Sequence, residues 1–154
     1  MSYEWLLFGH LVGAFLFVSG AVAATVLRLA ALRRELPSEV AVLMRAVRPA
    51  VPLIGLGLVL VLVFGFWLTA RLDLDLGSTW LSATFALLGW AVLVGAVAGR
   101  QDRHTRELAE RLAADGDRPS EELARRLRGP ANLTLNASLL VATFAVVALM
   151  VWQP

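Results

Sequence analysis

Four stretches of this chain, residues 5–27, 50–70, 78–99 and 133–152, contain no Asp, Glu or Arg. Each is close to the roughly 20 residues that cross a hydrocarbon core about 30 Å thick. Backbone groups in lipid have no water to bond, so segments of this length must pair them internally as helices. Transmembrane strands would be about half as long and would alternate polar with apolar residues. The sequence therefore predicts an all-α, integral membrane four-helix bundle forming a single transmembrane domain over residues 1–154. The first stretch is read as a permanent helix rather than a cleaved leader, because no Arg precedes it and its apolar run is long.

Composition agrees. The chain is 58% hydrophobic with a mean hydropathy of +0.72, more apolar material than a soluble core of this size uses. It has no cysteine, which removes disulfides, thiolate metal sites and cysteine nucleophiles. All 14 basic residues are arginine, so a lysine nucleophile or Schiff base is excluded. The net charge is only +2, and the arginines are interleaved with acids. That pattern fits a membrane face and not a nucleic-acid surface.

Charge sets the expected orientation. Thirteen of the 14 arginines lie between the first and second stretches or between the third and fourth; Arg71 is the exception. The positive-inside rule puts those loops in the cytoplasm and both termini outside, N-out and C-out, in a bacterial inner membrane. Tyr3, Trp5, Trp67, Trp80 and Trp152 fall near the opposite face as an interfacial aromatic belt.

The loops carry helical signals. Ser38 and Glu39 read as the start of a short amphipathic helix with Val40, Leu43, Met44 and Val47 on one face, interrupted by Pro49 and Pro52. Glu107-Leu-Ala-Glu-Arg-Leu112 is echoed by Glu122-Leu-Ala-Arg-Arg-Leu127, with Glu107–Arg111 and Glu122–Arg126 as expected i,i+4 pairs. Asp115-Gly116-Asp117 reads as the turn between the copies and Ser120 as the cap of the second. A cytoplasmic helical hairpin, or an extension of the third span, is expected there.

Polar residues within the spans are the candidate sites. His10 is the one ionisable side chain well inside a span. Two readings stand: a functional one, as a ligand to haem b or a metal or as a proton-relay group, and a structural one, as a neutral imidazole bonded across the bundle. Gly9 and Gly13, and Gly95 and Gly99, form Gly-x-x-x-Gly pairs expected at helix contacts or in a homo-oligomer. Asn132, Asn136 and Thr143 share a face of the fourth span and are expected to bond between helices; a polar path through Ser82 is the channel alternative. Asp73 and Asp75 could draw a cation to the outer loop, although a solvated turn is the plainer reading.

The chain lacks a P-loop, a dinucleotide-binding glycine fingerprint, a nucleophile elbow and a His-Glu-x-x-His helix. No catalytic residues are assigned, and an enzyme is the least supported class. Ligand module, accessory subunit of a membrane complex, and small-solute channel or transporter remain, all with the lipid bilayer as partner and no nucleic acid.

Leu7-Phe8-Gly9-His10-Leu11-Val12-Gly13-Ala14 resembles the first helix of copper-resistance D-type membrane proteins and of the membrane protoporphyrinogen oxidase. With Phe64-Gly65-Phe66-Trp67-Leu68 and Ala148-Leu149-Met150-Val151-Trp152-Gln153-Pro154, it resembles more closely an uncharacterised family of bacterial integral membrane proteins, a domain of unknown function. That resemblance implies a four-helix bundle, and by analogy haem or copper at His10. The chain departs from the better-known families in having no further intramembrane histidine and no lysine.

Overall fold

The computed structural model describes residues 2–72 and 78–152. Asp73 and Asp75 lie outside them. The described residues form six helices and no strand: α1 (Tyr3–Ala31), α2 (Pro37–Ala46), α3 (Ala50–Arg71), α4 (Thr79–Ala114), α5 (Glu121–Arg128) and α6 (Pro130–Trp152). Four of the apolar runs, in α1, α3, α4 and α6, are long and apolar enough to cross a membrane.

The spanning helices pack as two pairs, α1 against α3 and α4 against α6. The first pair is close because glycine removes the side chain where the backbones meet. A Cβ on Gly13 would lie 2.8 Å from the amide nitrogen of Val61, and one on Gly57 would lie 2.7 Å from the Gly13 carbonyl oxygen. A Cβ on Gly9 would sit 2.8 Å from the Phe64 ring. Gly95 and Gly99 differ: among the described residues, a Cβ on either meets nothing within 4 Å. Between 17 and 33% of each apolar window is buried within the protein, which leaves most of the spanning surface to lipid.

The arginine-rich end is built differently. There α2, the far end of α4 and α5 fold into a cap with its own apolar core of Ala31, Val40, Ala41, Met44, Ala109, Leu123 and Leu127, flanked by Leu32, Leu43, Leu108 and Leu112. The repeated sequence explains part of this. Leu108 and Leu112, and likewise Leu123 and Leu127, are four apart and share a helix face, and both faces turn to the same core. The third span continues unbroken through α4 for 36 residues, so the expected extension and hairpin are both present.

Two helix ends of the cap follow local chemistry and a third is an exception. At the end of α4, Gly116 takes φ +112° and lets the Asp117 amide donate back to the Leu112 carbonyl at 3.1 Å, a Schellman closure. Ser120 caps α5, accepting from the Leu123 amide at 3.5 Å. The exception is α2. Its N-cap is Leu36 and Pro37 occupies the first turn, so Ser38 is not the cap expected from sequence. Asp117 supplies the missing acceptor: its carboxylate takes the Ser38 amide at 2.8 Å and the Ser38 hydroxyl at 2.6 Å. Among the expected i,i+4 pairs, Arg126 reaches Glu122 at 3.4 Å. Glu107 instead accepts from Arg103 at 2.9 Å, not from Arg111, and that hydrogen bond holds its carboxyl below the usual carboxylate range.

Candidate functional site

Polar groups gather where the spans meet the cap. Arg28 stands one residue beyond the first apolar stretch, and α1 aims it at Asp102, just beyond the third. Arg28 Nε donates to both carboxylate oxygens, at 3.1 and 2.9 Å, and its terminal nitrogen bonds Oδ2 as well. The side chains are only 14 and 16% exposed. A pair this well shielded loses much of its hydration, so its two-pronged hydrogen bonding is what makes the burial tolerable. It joins α1 to α4 at the base of the cap.

Asn132 and Asn136, one turn apart on α6, lie beside this pair. Asn132 Nδ2 donates to the Leu127 carbonyl at 3.2 Å and the Arg126 carbonyl at 3.4 Å, closing the C-terminal end of α5. Asn136 Nδ2 donates to the Asn132 backbone and side-chain oxygens at 2.8 and 2.9 Å. Asn136 Oδ1 is buried and has no partner among the described residues. Together with Thr25 and Thr105, these groups line a cavity of about 30 Å³ walled by Leu29, Leu32, Met44, Leu127 and Leu133. That volume suits one or two water molecules and excludes an organic ligand.

The remaining predicted residues do not join this cluster. Thr143 is buried, but its hydroxyl bonds the Leu139 carbonyl of its own helix at 2.9 Å and not a neighbouring helix. Thr84 does the same with Trp80 at 2.8 Å. Threonine in an apolar helix has this internal acceptor always within reach, which is why it contributes little interhelical bonding here. Ser82 is exposed near the start of α4. Neither Ser82 nor His10 lines the cavity.

His10 forms a separate feature on α1, about 22 Å nearer its N-terminal end than Thr25, at 1.5 Å per residue. Its Nδ1 lies 3.2 Å from the Val61 carbonyl oxygen on α3. The ring rests against Gly65, where a Cβ would come within 3.1 Å of both Nδ1 and Cε1. Gly65 follows Val61 by one helical turn, so the same absence of side chain that admits the ring also exposes the carbonyl. The bond across the pair is the structural alternative expected for this residue. A carbonyl only accepts, so this bond calls for a proton on Nδ1.

No group of three or more His, Asp or Glu side chains able to hold a metal occurs among the described residues. The model of a family described as "Predicted integral membrane protein (DUF2269)" matches residues 4–154. The chain belongs to that family. The four apolar helices of this DUF2269 member fit that description. No curated protein and no solved structure matches the chain.

Sequence reasoning singled out Asn132 and Asn136 but passed over Arg28, Asp102 and Thr105. The signal was available for the ion pair. Asp102 is the one acid within five residues of an apolar stretch on the arginine-rich side, and a carboxylate at that depth needs a cation near it.

Proposed function

We propose that this DUF2269 protein is a non-enzymatic accessory module, whose spans anchor it and whose cap docks a partner in a membrane complex. The observation that carries this reading is the cap. It has a closed apolar core and a charged exterior, and at its base the Arg28–Asp102 bridge ties α1 to α4. Such a body presents a fixed surface, while the cavity beneath it is too small for an organic solute. Thirteen of 14 arginines lie at that end, which supports a cytoplasmic cap with both termini outside. The test is co-purification from gently solubilised native membranes. The wild-type chain retains a partner that the variant Arg111→Glu, Arg118→Glu, Arg125→Glu loses while still inserting in the membrane. Absence of any partner, or the same partner retained by the variant, overturns the reading.

A second reading rests on His10. The Val61 carbonyl holds Nδ1, and a backbone-held imidazole of this kind offers Nε2 as a ligand to haem or a metal. Protein expressed with haem supplied shows a Soret band that His10→Ala abolishes if this holds. A spectrum without that band removes haem from consideration.

A further inference from the structure

Charge at the arginine-rich end is sorted by depth. Within five residues of the ends of the apolar stretches stand Arg28, Arg45, Arg48, Arg100, Arg103 and Arg128, against the single acid Asp102. The other eight acids of these loops sit further into the cap. Asp102 is taken by Arg28. Arg45 and Arg103 turn to Glu110 and Glu107, each at 2.9 Å. Arg128 donates to the Leu32 carbonyl at 3.2 Å, which leaves its charge uncompensated. Arg48 and Arg100 are exposed and meet no carboxylate among the described residues. Three uncompensated guanidinium groups are thus left at the depth of lipid head groups.

We propose that Arg48, Arg100 and Arg128 form a collar that binds anionic phospholipid by its phosphate. A guanidinium matches a phosphate with two parallel hydrogen bonds as well as charge. A zwitterionic head group brings its own cation to the same place and cancels much of the attraction. The collar therefore discriminates by net head-group charge. This inference needs only that the helices span the membrane, and it stands apart from the docking role of the cap.

The test titrates the full chain in mild detergent with phosphatidylglycerol or phosphatidylcholine and counts bound lipids by native mass spectrometry. Phosphatidylglycerol is retained in preference, and rising salt removes it. Each arginine at the surface contributes roughly fivefold, so Arg48→Gln with Arg100→Gln lowers retention roughly 25-fold. Replacing both by lysine preserves the preference for phosphatidylglycerol. The pair Arg118→Gln with Arg125→Gln removes the same charge from the cap and leaves retention unchanged. Equal retention of both lipids by the wild-type chain overturns the proposal, and so does salt-insensitive binding. Equal loss from the cap pair reduces the effect to net charge and overturns it as well.

Discussion

Asp117 caps α2 through Ser38, 79 residues before it in the chain, taking both the amide and the hydroxyl of that residue. It does so from φ +50°, a left-handed conformation that Asp and Asn tolerate better than other side chains. The position therefore has two demands, one on the backbone and one on the carboxylate. Asp117→Asn meets the first and part of the second. Asp117→Ala meets neither, and loses about 1–2 kcal/mol of stability, the usual scale of a lost cap. Thermal unfolding in detergent should place Asn close to wild type and Ala well below it.

The glycines divide the same way. Gly13→Ala forces a Cβ to within 2.8 Å of the Val61 backbone nitrogen, which cannot rotate away. Separating α1 from α3 should cost about 1–3 kcal/mol, the scale of overpacking. Gly95→Ala meets open space and should leave stability unchanged or raise it, because alanine restricts a helix less unfavourably than glycine. A melting temperature for Gly13→Ala equal to that of Gly95→Ala would contradict the α1–α3 contact.

Arg28 and Asp102 lend themselves to a double-mutant cycle. Removing either partner alone leaves a shielded charge without its counterion, at about 3 kcal/mol. Replacing both, as Arg28→Met with Asp102→Leu, should recover much of that loss. Urea or thermal unfolding of the four proteins measures the coupling; additive losses would show that the two groups act independently.

Gly65→Ala probes the histidine. The new methyl group would press on Nδ1 and Cε1 from 3.1 Å and shift the ring by a few tenths of an ångström against the Val61 carbonyl. Nitrogen NMR of labelled His10 should report a weakened Nδ1–H bond, whereas Gly55→Ala, which meets nothing within 4 Å, should not change the signal.

The spans were legible because lipid imposes one rule on every residue inside it. All four helices cover the stretches read from charge-free runs, apart from Ser78 standing as the N-cap of α4. The Ser120 cap and the Asp115–Asp117 turn were legible for another reason: each is a local bond between near neighbours. Pairings across the fold were not. Arg28 and Asp102 are 74 residues apart, and nothing in either neighbourhood names the other. The choice of Arg103 over Arg111 by Glu107 was also hidden, since both lie one turn away and the surroundings decide. Gly95 and Gly99 show the limit of a motif. Their spacing permits close approach, but which face meets a neighbour is set by the whole bundle.

The length of α4 has a mechanical consequence. Its 36 residues make a rod of about 54 Å at 1.5 Å per residue. No proline or glycine interrupts the run from Arg100 to Ala114. A tilt of the membrane half by about 10° would therefore carry the far tip through about 4 Å, over a lever arm of about 22 Å. Asp117 and Ser38 would move with it, because one continuous helix carries any tilt of the span into the cap.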